Sequence, residues 1–287
     1  MDDITRKIDI AKGFHKHIQH HNAIFLSDIH LGFRDCKADF LLDFLTHNRC
    51  KTLYLVGDVI DMIAMRRNFI WPESHHRVLR EIIRIAEQGT RVIYVPGNHD
   101  HPVRELVERN ILGVEIMQEA EHMTADGRNF LVLHGDCFDE EVLCSKWKRL
   151  VGVAAYWLLL QINRWSTRAR RRLGLPYWSM AYYIKNNVRN AREAIQNYEK
   201  AAAEAAQKQG YDGIICGHIH QPELRKIGDV IYCNDGDWIE SCTALTEDRN
   251  GWLEIVHWGD IRQSLKACRD AHEPVALASL PRLDVAS

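Results

Sequence analysis

Gly217-His218-Ile219-His220 sets two histidines two residues apart, just past the apolar run Gly213-Ile214-Ile215-Cys216, which reads as a buried strand. At that spacing two neutral imidazoles can turn toward one pocket, and imidazole suits transition metals such as Mn, Fe and Zn. The pair alone is a weak signal. Four earlier stretches strengthen it, because each also ends an apolar run in metal-ligand residue types: Asp28-Ile29-His30, Gly57-Asp58, Gly97-Asn98-His99-Asp100 and His134-Gly135-Asp136. Together Asp28, His30, Asp58, Asn98, His134, His218 and His220 make seven oxygen and nitrogen donors. That is too many for one tetrahedral zinc and suits two ions sharing a carboxylate. Two ions roughly 3.5–4 Å apart clamp the attacking and leaving oxygens of a displacement at phosphorus and make a nucleophile available near neutral pH. No cysteine stands at a ligand position, so Mn²⁺ or a mixed Fe/Zn-type pair is expected.

The elements that must position these donors alternate. Apolar runs predict strands at Ala23–Leu26, Thr52–Val56, Arg91–Val95, Asn129–Leu133, Gly213–Cys216, Val230–Cys233 and 252–256. Helical spacing predicts helices over Ala38–His47, about 74–88 with Gly89 as its stop, and about 102–109. Strands alternating with helices imply βαβ units, whose chemistry gathers at the strand ends. His75 and His76, near a helix start, are expected as surface or capping residues, and His101 as a solvent-facing loop residue. Asp61 is a candidate supporting group behind the donors.

With 287 residues and 46% hydrophobic content, the chain has a real core and room for one large domain with an insertion. A formal net charge of −2 gives no whole-protein field toward nucleic acid. Eight cysteines without a CxxC pair fit reduced, structural thiols in a cytoplasmic protein. The N-terminal residues lack the apolar core of a secretory signal. Residues 1–22 are expected as a solvated arm despite their histidines, 23–260 as the domain, and 261–287 as a tail. The pattern changes at about 140–209, read as a helical lid insertion. Residues 142–192 contain no Asp or Glu, but eleven Lys and Arg interleaved with Trp and Tyr. Such a surface suits an anionic membrane or an acylated substrate whose diphosphate is held by arginine forks. A packed helical hairpin with a basic solvated face and a nucleic-acid groove use the same residue types, and nucleic acid is the least favoured of these.

Asp28-x-His30, Gly57-Asp58, Gly97-Asn98-His99-Asp100, His134-Gly135-Asp136 and Gly217-His218-x-His220, in this order, resemble the calcineurin-like metallophosphoesterases. The resemblance covers about residues 23–258. It implies an α/β fold, a β-sandwich flanked by helices, with a dinuclear site at one edge. It assigns one metal to Asp28, His30, Asp58 and His220, and the second to Asp58, Asn98, His134 and His218, with Asp58 bridging. It casts His99, oriented by Asp100, as the group that protonates the leaving oxygen or steadies charge on the phosphoryl group. The protein Ser/Thr phosphatase branch carries Gly-Asp-x-Val-Asp-Arg-Gly, where this chain reads Gly57-Asp58-Val59-Ile60-Asp61-Met62-Ile63. The insertion is closer to the UDP-2,3-diacylglucosamine diphosphatases of lipid A synthesis. Asn163-Arg164-Trp165, the stretch 170–178 and Gly236-Asp237-Trp238 look like a second branch grouped with them. That likeness implies a UDP-linked acylated sugar as substrate, contacts from Asn163, Arg164 and Lys185, and a place on the inner face of the cytoplasmic membrane. The best-characterised branch has Gly-Asn-Arg-Asp where His99 stands here. Nucleases of the superfamily also carry His, so a phosphodiesterase or nuclease acting on nucleotides is the alternative.

Overall fold

A computed structural model describes residues 18–139 and 189–261. The strands are β1 (Gln19–Leu26), β2 (Asn48–Val56), β3 (Arg91–Val95), β4 (Asn110–Ile111), β5 (Val114–Ile116), β6 (Ala120–Met123), β7 (Asn129–Val132), β8 (Gly213–Cys216), β9 (Glu223–Ile227), β10 (Val230–Asn234), β11 (Thr243–Glu247) and β12 (Leu253–His257). The helices are α1 (Ala38–His47), α2 (Met62–Arg67), α3 (Glu73–Glu87) and α4 (Arg189–Lys208). One sheet has seven strands in the order β12-β11-β1-β2-β3-β5-β4, and the other has five in the order β6-β7-β8-β10-β9.

Strand alternation builds three layers of core from these runs, because successive side chains point to opposite faces. Ile24, Leu26, Leu53, Leu55, Val92 and Tyr94 face α1 and α3. Their neighbours Ala23, Phe25, Tyr54, Val56, Ile93 and Val95 face the second sheet, where Phe130, Val132 and Ile215 meet them. Phe25 stacks on Tyr54 at 4.6 Å between ring centroids. On the far side Leu131, Ile214 and Tyr232 turn outward to Tyr198, Ala202 and Ala206 of α4. Each fully buried large side chain contributes roughly 1.5–3 kcal/mol. α4 belongs to what was expected as the insertion, yet it covers the outer face of the second sheet and is a layer of the sandwich. Residues 1–17 of the expected arm, 140–188 of that insertion and the tail from 262 lie outside the described residues, as do Asn163, Arg164 and Lys185. The expected arm is corrected at its end: residues 19–22 extend β1, with His20 and His21 paired to Arg49 and Cys50 of β2. The helix expected at about 102–109 is a short 3-10 turn, His101–Leu106.

Parallel pairing brings the strand ends together. β1 runs parallel to β2 with Leu26 beside Leu55, and β2 parallel to β3 with Val56 beside Val95. In the second sheet β7, β8 and β10 run parallel, with Ile215 beside Val132 and Cys233. Every candidate donor lies in the loops that leave these ends.

Candidate metal centre

The loops after β1 and β2 run side by side. Asp28 N–H donates to Gly57 O at 3.1 Å, His30 N–H to Asp58 O at 2.8 Å and Leu31 N–H to Val59 O at 2.8 Å. The loops after β7 and β8 are joined in the same way, Gly217 N–H donating to His134 O at 3.2 Å. The backbone is forced to present the donors. Of the eight non-glycine residues with positive φ among the described residues, five are Asp28, His30, Asp58, His218 and His220. Left-handed backbone costs such residues energy and concentrates where function holds it. Gly57, at φ +83°, allows the sheets to close here, since a Cβ on it would lie 2.2 Å from His134 Nδ1.

Three groups of potential ligands form, buried except for the half-buried His220 and His99, each with its donor atoms within 4.8 Å of one another: Asp28, His30 and His220; His30, Asp58 and His99; and Asp28, Asp58 and His134. His220 Nε2 lies 3.2 Å from Asp28 Oδ1, and His134 Nε2 lies 3.5 Å from Asp58 Oδ1. Asn98 Oδ1 is 3.3 Å from His134 Nε2. His218 stands beside His134 with ring centroids 5.2 Å apart, outside the three groups, and its Nε2 lies 2.9 Å from Asp139 Oδ1. Asp58 and Asp28 thus touch donors from both sheets.

Burial opposes charge here, yet the site keeps its carboxylates ionised. It pushes the Asp28 carboxyl up, but His220 and His30 outweigh it and hold the group well below the usual range. Asp58 is likewise pushed up by burial and held below that range by His134 and His30. Burial lowers His134, but Asp58 more than reverses this and raises it to about 10. Ionised carboxylates and imidazoles out of water, with the His30 Nε2 atom buried and without a hydrogen bond among the described residues, fit divalent cations.

Asp61 joins the donors to the candidate acid. Its Oδ2 is 3.1 Å from His30 Nδ1 and its Oδ1 is 2.9 Å from His99 Nδ1. It also caps α2 by accepting from Ala64 N–H at 2.7 Å. This corrects the expectation for Asp100. The Asp100 carboxylate accepts from Gly97 N–H at 2.6 Å, from Val59 N–H at 2.7 Å and from Tyr94 Oη, which holds the loop rather than the His99 ring. His99 N–H donates to Asp58 Oδ1 at 2.7 Å, and its side chain is 31% exposed, so it is accessible from solvent.

His75 is also corrected. It is buried, 2% exposed, and its Nδ1 accepts from Gly32 N–H at 2.9 Å, bracing the loop that carries Asp28 and His30. His101 is exposed. The spacing Asp58-x-x-Asp61 was the available signal for Asp61. Nothing in the sequence marked His75, or the buried pair Ser27 and Asp235 behind Asp28.

A model of the calcineurin-like phosphoesterases matches residues 21–222. The curated UDP-2,3-diacylglucosamine hydrolase of Aliivibrio fischeri is 25% identical over 242 residues, covering 77% of this chain and 92% of that protein. Its namesake from Azotobacter vinelandii is 26% identical over 235 residues, covering 80% and 92%. A solved structure described as a novel archaeal phosphodiesterase is 14% identical with a TM-score of 0.42, covering 82% of this chain and 98% of its own.

Proposed function

We propose a specific reaction on the premise that this chain belongs to the calcineurin-like phosphoesterase family and is a phosphoester hydrolase. The reaction is cleavage of the pyrophosphate of UDP-2,3-diacylglucosamine to UMP and 2,3-diacylglucosamine 1-phosphate. One observation carries the reading. The buried carboxylates and imidazoles gather at the strand ends of a chain whose relatives, matched over 77% and 80% of its length, are named hydrolases of that substrate.

The donors that would hold two divalent ions are Asp28, His30, Asp58 and His220 for one, and Asp58, Asn98, His134 and His218 for the other. We assign Mn²⁺, because oxygen and imidazole donors without thiolate suit it. When bound, such ions polarise the phosphoryl oxygens and supply a nucleophile at neutral pH. The chain's own residues do the rest. Asp61 accepts from His99 Nδ1–H, which orients the ring with Nε2 toward the substrate. Acting as the imidazolium, His99 delivers its Nε2 proton to the leaving phosphate oxygen and keeps Nδ1–H on Asp61. Asp61 also orients the His30 ring, so one carboxylate sets both the acid and a ligand.

The basic, aromatic stretch 142–192 supports a further assignment: it grips the acyl chains, with Asn163, Arg164 and Lys185 at the substrate, and rests on the anionic inner face of the cytoplasmic membrane. No helix among the described residues is long and apolar enough to cross a membrane. The test is UMP release from UDP-2,3-diacylglucosamine with added Mn²⁺. Turnover supports the assignment. No turnover, while bis(4-nitrophenyl) phosphate, cyclic nucleotides or single-stranded DNA react, replaces it with a nucleotide phosphodiesterase or nuclease.

A further inference from the structure

A cavity of about 490 Å³ opens beside the metal centre, within the range of small-molecule sites. His134 belongs both to its wall and to the donor group with Asp28 and Asp58. Pro96, two residues before Asn98, and Leu133 give it apolar surface, and Gln118, Glu119, Arg104 and Asp136 give it polar edges. The polar wall is built rather than incidental. Arg104 Nη2 donates to both oxygens of Asp136, at 2.8 Å each. That pairing uses one nitrogen of the fork, and Nη1 makes no hydrogen bond among the described residues. Gln118 and Glu119 are exposed at the mouth.

We propose that this cavity binds the pyrimidine nucleoside of the substrate, a subsite that rests on the nucleoside-diphosphate reading of the metal centre. The chemistry matches group by group. A uracil edge offers one N–H between two carbonyl oxygens. The primary amide of Gln118 supplies a donor and an acceptor to it, and Arg104 Nη1, without a hydrogen bond among the described residues, supplies further donors. Pro96 and Leu133 offer the ring an apolar face. Carboxylates such as Glu119 and Asp136 recognise a ribose diol, as acidic residues do in dinucleotide sites. A nucleoside held there has its 5′-phosphate next to His134, where the scissile anhydride must lie.

The experiment compares UMP with ribose 5-phosphate as inhibitors of bis(4-nitrophenyl) phosphate hydrolysis by the full, Mn²⁺-loaded chain. Both carry the phosphate and sugar, so the ratio of their inhibition constants isolates the base. UMP should inhibit roughly tenfold more tightly, the worth of one or two hydrogen bonds. Gln118→Ala and Arg104→Met should bring the ratio toward one. Gln118 is exposed, so its truncation leaves the fold intact and keeps the test decisive even if Arg104→Met is unstable. Equal inhibition in the wild type, or a ratio that both substitutions leave untouched, overturns the subsite. A base-dependent ratio in a protein that does not hydrolyse UDP-2,3-diacylglucosamine supports the subsite and removes only the lipid substrate.

Discussion

The seven-stranded sheet gives the metal centre Asp28, His30, Asp58 and Asn98, whereas the five-stranded sheet gives imidazoles alone, His134, His218 and His220. The two halves are also held differently. On the first sheet side chains do the holding: Asp61 bonds the His30 and His99 rings, and His75 takes the Gly32 backbone N–H. On the second sheet the backbone and the core do more. His134 Nδ1 lies 2.9 Å from Val56 O, and Asn234 Nδ2 donates to Gly217 O at 2.7 Å. The contrast has a physical origin. Carboxylates out of water repel one another and need partners in place, while imidazoles that serve as metal ligands need only a fixed tautomer and direction. The first half should therefore set whether cations bind, and the second how they are placed.

Asp58→Asn should have the largest effect, because Asp58 meets His30 of one half and His134 of the other and is the carboxylate proposed to serve both ions. Turnover should fall by at least about a thousandfold, as when charge stabilisation at the reacting centre is lost. Metal analysis should find fewer than two ions per chain, and a variant that keeps full metal content and activity would show that the halves are not joined through Asp58. His99→Ala should come next. Losing a general acid costs about 10²–10⁴-fold, and here metal content should stay at the wild-type level, since His99 serves proton transfer. The loss should shrink on substrates with better leaving groups. A loss independent of the leaving group would move His99 from acid to electrostatic support.

Asp61→Asn sharpens the difference in how the halves are held. An amide offers one acceptor where two imidazole N–H groups need one each. Turnover should fall about 10–100-fold, as for other groups that orient metal ligands. Metal affinity should weaken at the same time, because His30 is affected as well as His99. If only turnover moved, Asp61 would act through His99 alone. Gly57→Ala tests the seam between the sheets. The added methyl meets the His134 ring, and left-handed φ adds roughly 1–2 kcal/mol of strain. Thermal unfolding should show the loss of stability, and restoring it by added Mn²⁺ would show that the metal draws the two halves together.

Much of this was legible from residues alone, and for a clear reason. β1, β2, β3, β7, β8, β10 and β12 are apolar runs, and a run that ends in Asp, Asn or His marks itself. The edge strands β4, β6 and β9, and β5 beside β4, were not legible, being short or half-exposed. β11 was hidden for the opposite reason. It is wholly buried, yet it carries Glu247, whose carboxylate is accommodated by Asn22, His122 and the Ala125 N–H. α4 was grouped with the insertion because its first residues, Arg189 and Arg192, continue the acid-free basic stretch before it. Donors at strand ends follow local sequence, so their types could be read. Their supports do not, since Asp61 bonds His30 thirty-one residues away and His75 bonds Gly32 at forty-three.

The smallest expected effect concerns such a support, and it follows from counting protons. Ser27 Oγ lies 2.7 Å from Asp28 Oδ2, 2.5 Å from Asp235 Oδ1 and 3.1 Å from Gly236 O. A hydroxyl has one proton to give, and Asp28 is ionised. The short contact to Asp235 therefore needs a second proton, carried by Asp235 as a neutral carboxylic acid donating to Ser27. Its environment agrees. Burial pushes the Asp235 carboxyl well above the carboxylate range, against the pull of Ser27, and the charge on Asp28 adds to the rise. Asp235→Asn keeps the shape and the donor, so activity should change by less than about threefold, near the limit of a neutral isosteric swap. The sign of the pH effect follows. A carboxyl raised on folding contributes stability below its unfolded value near 3.9 and loses it as pH rises toward its folded value. Asparagine does not titrate, so the variant should gain in melting temperature relative to the wild type between pH 5 and pH 8. A gap that stays flat or narrows with rising pH would put the proton elsewhere, and Ser27 would then face two ionised carboxylates behind the metal centre.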